Sequence, residues 1–257
     1  MKIAIIGIGK MGAWLAKTLS VSHDVAVYDK NPGKASGLGK VLVLESASKL
    51  SAFAPDMLIN AVSLQNTISA FGECVAHLPA TCVICDVASI KAGLREYYAK
   101  SGFKFASVHP MFGPTFANME SLSGENAVVI RESDAKTADF FRKFFSSLGA
   151  RVYDYGFGEH DRMMAYSLTT PFVSSLVFAS CVDATTVPGS TFSKHMKIAQ
   201  GLLSEDDQLL CEILFNPQSV QQIERITSRL EHLKHIISGR DYEEAQDFLA
   251  KLRVRIR

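Results

Sequence analysis

Near the start of the chain, Gly7-Ile8-Gly9-Lys10-Met11-Gly12 carries the G-x-G-x-x-G spacing, the chemistry of a backbone cradle for a pyrophosphate. The first glycine allows a tight turn. The second lets the backbone approach the phosphates at a positive helix N-terminus, and the third lets helix and strand pack closely. The spacing gains force from its context, because it follows the strand-like Lys2–Ile6 and opens the helical pattern Met11–Ser20. A second strand-like run, Asp24–Tyr28, is followed by Asp29, about 20 residues beyond the glycines. A carboxylate there accepts ribose hydroxyls and repels a 2′-phosphate, which favours NAD over NADP; the adjacent Lys30 would soften that discrimination. Ala61-Val62-Ser63, after Asn60, belongs to the same carboxyl edge and is expected to line the cofactor.

Two further apolar runs deliver polar side chains to this edge. One leads into Asp86-Val87-Ala88-Ser89-Ile90-Lys91, the other into His109-Pro110-Met111-Phe112-Gly113. His109 is the acid–base candidate, since an unperturbed imidazole titrates near ~6.5. Cys82 and Cys85 form a C-x-x-C, but that spacing on a strand points the sulfurs to opposite faces. No second ligand pair accompanies them, so no metal site is expected.

These residues need a scaffold that brings distant strand ends together. Strand-like Asp56–Ala61, Thr81–Cys85, Phe103–Val108, Ala127–Ile130 and Arg151–Tyr153 alternate with helical Gln65–His77, Ala92–Lys100 and Ala135–Leu148. This alternation predicts an α/β fold with a Rossmann-type, doubly wound parallel sheet. After Tyr155 only helical patterns follow: His160–Val182, Thr191–Leu203, Asp206–Phe215, Ser219–Ile237 and Tyr242–Arg255. The expected division is a dinucleotide-binding domain over 1–154 and an all-helical domain over 155–257. Charges balance, with 27 Lys+Arg against 26 Asp+Glu, which argues against a nucleic-acid binder. The uncharged run Met163–Val182 approaches the length of a membrane span, but its seven Ser, Thr and Pro side chains fit burial inside protein better. Five cysteines, an odd number, imply no disulfide framework. The apolar start is too short for a signal peptide, so a soluble cytoplasmic protein is expected.

Taken in order, Gly7–Gly12, Asp86-Val87-Ala88-Ser89-Ile90-Lys91, His109-Pro110-Met111 and Glu159-His160-Asp161 resemble the prephenate and arogenate dehydrogenases over nearly the whole chain. The resemblance implies NAD-dependent oxidative decarboxylation of prephenate, or of arogenate, in tyrosine biosynthesis. It implies that His109 removes the substrate hydroxyl proton. Ser89 is implied to hydrogen-bond near the histidine, substrate and nicotinamide. The helical domain would close the substrate pocket and form a homodimer, with no metal, nucleic acid or membrane involved.

The chain also departs from that family. Pro114-Thr115 stands where many members have Thr-Glu, leaving Thr115 as a candidate substrate contact. Ser167-Leu168-Thr169-Thr170-Pro171-Phe172 lacks both histidines of a Ser-His-Leu-Pro-His run. The family's carboxylate-binding arginine has no match in Thr191–Ala199, so Lys194 or His195 is the candidate partner. Other readings are a β-hydroxyacid dehydrogenase or pyrroline-carboxylate reductase type of two-domain enzyme, and a non-enzymatic NAD sensor.

Overall fold

The computed structural model describes residues 1–113, 118–119, 121–183, 187–205 and 207–256. It divides into two compact units, Met1–Met164 with Asp207–Ile213, and Ala165–Asp206 with Leu214–Arg257. The sequence boundary expected at 154/155 falls where the last strand ends. The first unit continues through a further helix to Met164, whose Phe157 and His160 are buried.

The first unit is a sheet of eight strands in the order β3-β2-β1-β4-β5-β6-β7-β8. They are β1 (Lys2–Ile6), β2 (Asp24–Tyr28), β3 (Leu42–Val43), β4 (Met57–Asn60), β5 (Val83–Asp86), β6 (Phe105–Pro110), β7 (Asn126–Ile130) and β8 (Arg151–Tyr155). Strands β1 to β6 are mutually parallel where they pair. Strand β7 runs antiparallel to β6, and β8 parallel to β7. A parallel pair needs a crossover, usually a helix. The described residues between β6 and β7 contain no helix, so the chain turns back and the sheet is mixed at this end.

Side chains alternate across each strand and bury on both faces. Ile3, Ile5 and Val27 pack with Leu15, Phe141 and Phe145, which lie on α1 (Lys10–Leu19) and α5 (Ala135–Ser147). Ala4, Ile6, Leu58 and Ile84 pack with Phe71, Leu94 and Tyr98 on the other face. Between α1 and α5 in the chain come α2 (Leu50–Phe53), α3 (Thr67–Val75) and α4 (Leu94–Ser101). Helix α5 starts cleanly because Asp134 caps it, accepting from Thr137 N–H at 3.1 Å. Cys82 and Cys85 fall in opposite cores, as their spacing requires. Register places Tyr28, Ile6, Asn60, Asp86 and Ser107 in one row near the carboxyl edge. The residues just beyond that row build the site.

The run Met163–Val182 is not one continuous helix. Helix α6 (Phe157–Met164) passes into a π-turn at Ala165–Thr169, and α7 (Thr170–Ser180) begins with Pro171 in its first turn. Proline has no N–H to donate back to the preceding turn, which fits a break in the regular ladder there. The second unit then adds α8 (Ser190–Leu203), α10 (Ser219–Gly239) and α11 (Tyr242–Arg255). Helix α9 (Asp207–Leu214) lies between α8 and α10 in the chain, and all but its last residue belongs to the first unit. Thr169 and Ser219 hydroxyls meet at 2.8 Å in the second unit's interior. Among the described residues, no helix is long and apolar enough to cross a membrane.

Candidate active site

The Gly-rich turn is held from three sides. Gly7 N–H donates to Tyr28 C=O at 2.9 Å, and Ala61 N–H donates to Ile6 C=O at 2.8 Å. Gly7 has φ +86°, and a Cβ there would lie 2.7 Å from Val62 N and 2.8 Å from Ala61 C=O. A Cβ on Gly12 would lie 1.9 Å from Gly7 C=O. These two glycines are required by the fold itself. Gly9 differs, because a Cβ there would meet nothing within 4 Å. Gly9 and Lys10 are exposed at the start of α1, Met11 is half-buried and Ile8 is buried. Open space before a glycine at a helix N-terminus is what close approach of a phosphate requires, so these residues fit a dinucleotide.

Asp29 stands beside this turn. Its Oδ2 accepts from Ile8 N–H at 2.7 Å and its Oδ1 from Asn31 N–H at 2.8 Å. Partial burial pushes the carboxyl up, but these two N–H groups and the Lys34 ammonium outweigh it and hold Asp29 below its ordinary value. Lys34 Nζ lies 3.4 Å from Oδ2. Lys30, the neighbour expected to modulate Asp29, instead pairs with Glu73 at 2.7 Å. Ala61 and Val62 are half-buried against Gly7, while Ser63 is exposed and accepts from Asn66 at 2.7 Å. Gln65 N–H, in the same loop, donates to Glu212 of α9 at 2.8 Å.

A buried polar cluster occupies the same edge near β5 and β6. His109 lies within β6, paired with Val128 of β7, rather than just after the strand. Its Nδ1 is 3.0 Å from His160 Nε2, and His160 Nδ1 is 3.0 Å from Asp161 Oδ1. The same Asp161 oxygen accepts from Lys91 N–H at 2.9 Å. Lys91 is fully buried; its ammonium donates to Asp86 at 2.5 Å and to Val108 C=O at 2.7 Å. Tyr98 O–H donates to the other Asp86 oxygen at 2.7 Å. Burial, then the neighbouring His160 and Lys91, keep His109 well below the usual histidine range. Burial also lowers His160, against the opposing pull of Asp161. Both imidazoles are therefore neutral at pH 7, and a neutral His109 can accept a proton.

Ser89 lies half-buried three residues past the end of β5 and makes no hydrogen bond to His109. Thr115 lies outside the described residues. Lys194 and His195 are exposed on α8 in the second unit; His195 Nδ1 is 3.1 Å from Thr191 C=O and its ring tilts against Phe178. Sequence reasoning missed Tyr98, Lys34 and Glu212, and gave His160 and Asp161 no role of their own.

An open Gly-rich turn, a strand-end acid and a buried neutral histidine on one sheet edge define a Rossmann-type nucleotide-binding protein with an acid–base group. The family described as "Prephenate dehydrogenase, nucleotide-binding domain" matches residues 15–154, more than half of the sequence, and the chain belongs to that family. Arogenate dehydrogenase 1, chloroplastic, of Arabidopsis thaliana is 24% identical over 98% of this chain. A probable arogenate/prephenate dehydrogenase of Methanocaldococcus jannaschii is 23% identical over 95% of it. The chain spans 41% and 58% of the length of these two relatives. Its fold is similar to that of prephenate dehydrogenase from A. aeolicus in complex with hydroxyphenyl propionate and NAD+. The TM-score is 0.85 at 21% identity, covering 99% of this chain and 96% of that one. Synechocystis arogenate dehydrogenase gives a TM-score of 0.79 at 19% identity, covering 99% and 98%.

Proposed function

We propose that the chain is an NAD-dependent dehydrogenase that oxidatively decarboxylates prephenate, with arogenate the alternative substrate, in tyrosine biosynthesis. The observation that carries this reading is the buried, neutral His109 on the sheet edge that also holds the Gly-rich turn. Gly7–Gly12 with Ala61, Val62 and Ser63 hold the dinucleotide, and Asp29 takes its ribose hydroxyls. NAD, when bound, supplies the hydride acceptor. His109 accepts the proton of the C4 hydroxyl as C4 becomes a ketone, with Ser89 as a hydrogen-bonding neighbour of the substrate. The new ketone receives the electron pair of the C1–carboxylate bond, carbon dioxide leaves, and the ring becomes aromatic. Since aromatisation drives that last step, the residues need only orient the substrate and remove one proton. Lys194 or His195, both exposed on α8, and Thr115 are the proposed substrate contacts.

The helical unit pairs with a second copy of the chain. Helix α7 carries no charge, yet none of its residues is buried within the chain. All five cysteines are free, which suits the reducing cytoplasm. The test is NADH absorbance with prephenate and with arogenate, each with NAD and NADP. Reduction with one substrate, and more with NAD, is expected; no reduction in any of the four mixtures sinks the proposal. Light scattering at micromolar concentration should give a dimer, and a monomer would sink that part alone.

A further inference from the structure

The contacts around His109 can be satisfied by one arrangement of protons. Asp161 Oδ1 already accepts from Lys91 N–H at 2.9 Å and lies 3.0 Å from His160 Nδ1. A carboxylate oxygen only accepts, so His160 Nδ1 carries a proton. In neutral His160, Nε2 then carries the lone pair, and it faces His109 Nδ1 at 3.0 Å. His109 Nδ1 must therefore be the protonated nitrogen, which leaves its lone pair on Nε2. Burial makes any other choice costly, since two facing lone pairs or two facing N–H groups could not turn to water; His160 is fully buried and His109 is 6% exposed.

We propose that His160 is a positioning residue which, anchored by Asp161, fixes His109 in the tautomer whose Nε2 accepts a proton. This deepens the reading of His109 as the base and rests on it. When Nε2 takes the hydroxyl proton, His109 becomes an imidazolium with a proton on each nitrogen. Its Nδ1–H stays bonded to the lone pair of His160, and the Asp161 carboxylate lies next in line to offset the charge. Among the described residues, the other charged groups facing His109 and His160 are Lys91, which opposes the imidazolium, and Asp86, which neutralises Lys91.

The test reads the tautomer directly, without substrate. In the full-length protein with 15N-labelled histidine at pH 7.5, the His109 signals are assigned by their loss in His109→Asn. Nδ1 should report as protonated and Nε2 as unprotonated; the reverse pattern, or an average of the two, overturns the proposal. His160→Leu should shift those signals toward an average and lower kcat by about 10²-fold, short of the ~10⁴-fold cost of a histidine held in the wrong tautomer. His160→Gln, which offers an acceptor oxygen in place of Nε2, should recover most of the rate. Unchanged signals in His160→Leu overturn the proposal, as does a wild-type kcat in that variant. If the wild-type tautomer is as stated but no substrate reduces NAD, the dehydrogenase reading fails and the positioning role of His160 loses its catalytic meaning.

Discussion

At the Gly-rich turn the surface offered to a ligand is backbone at a helix N-terminus, with open space before Gly9, and its glycines lie within six residues of one another. Around His109 the groups are mostly buried side chains from β5, β6, α4, α6 and the loop after β5, bonded to each other across as many as 51 residues of sequence, and Asp161 also accepts from the Lys91 backbone N–H 70 residues away. The first region is a motif local in sequence, braced by Tyr28, Asp29, Ala61 and Val62. The second can hold a base only because long-range folding locks its orientation in a dry site, where an unpaired polar group is costly. On the proposed reading, binding and chemistry depend on different physics in one unit, and mutations should separate them.

The largest separation is expected from His109→Asn. Removing a general base costs typically 10²–10⁴-fold in rate, about 3–5 kcal/mol of barrier. The loss should fall on kcat, with NAD affinity nearly unchanged. Near-normal kcat would remove His109 as the base, and a collapse of NAD binding would merge the two regions. The wild-type rate should also fall in acid as His109 protonates, and because burial holds its pKa well below 6.5, that limb should lie below pH 6.5. The same depression has a stability consequence. In the unfolded chain His109 and His160 protonate near pH ~6.5, whereas in the fold they stay neutral to lower pH. Below that value the unfolded state binds more protons, so stability, fully present above it, is lost as pH falls toward the folded pKa values. Urea midpoints from pH 7.5 to 5 should drop, and less steeply in His109→Asn.

Lys91→Met tests whether the buried cluster is as interdependent as its geometry implies. Removing the ammonium leaves Asp86 buried with only Tyr98 O–H and Ala88 N–H as partners. Breaking a buried pair from one side costs about 3–5 kcal/mol. Adding Asp86→Asn should recover part of the loss, because the stranded charge is gone. A single-variant cost below about 1 kcal/mol, by urea unfolding, would show the pair contributes little. NAD binding to whatever remains folded should persist.

What could be read beforehand follows the same division. The bounds of β1, β2 and α11 and the existence of most other elements were legible, because apolar periodicity is local. Strand β3 was not, since two exposed residues carry no pattern. Strand β7 was expected at Ala127–Ile130, but its antiparallel direction was missed although a signal existed: no helical pattern lies between β6 and β7, so no crossover was available. The π-turn at Ala165–Thr169 was hidden inside an uncharged run. At the site, the Gly-rich turn and Asp29 stood out because their chemistry is sequential. His160–Asp161 stood out only as a motif, since the contact with His109 spans 51 residues and nothing local announces it. Tyr98 offered no signal at all.

A sharper probe of the open region compares two of its glycines. Gly9→Ala places a methyl group where nothing lies within 4 Å, so the melting temperature should hold while NAD binding weakens. Losing one or two charge-assisted bonds to the pyrophosphate corresponds to about 10- to 100-fold in Kd. Gly12→Ala drives a Cβ into Gly7 C=O and should lower stability and binding together. Equal effects of the two variants on stability would mean that Gly9 is a folding glycine like the others.

The smallest effect concerns Lys34, whose ammonium lies 3.4 Å from the Asp29 carboxylate and is half exposed. That carboxylate is the group expected to repel a 2′-phosphate, so the nearby cation partly offsets the repulsion and makes the chain more tolerant of NADP than Asp29 alone would. A pair half exposed on its lysine side is worth about 0.2–1 kcal/mol, so Lys34→Gln should change the ratio of NADP to NAD affinity by roughly 1.4- to 5-fold, against NADP. Asp29→Ser should move the ratio in the opposite direction and further, because it removes both the repulsion and a ribose partner. Fluorescence titrations with each cofactor would measure both, and the Lys34 effect should fade at high salt as the exposed charges are screened. An equal loss of both cofactors in Lys34→Gln would place Lys34 in the scaffold of the turn instead. A shift that persists in 1 M salt would point to a direct hydrogen bond rather than to charge.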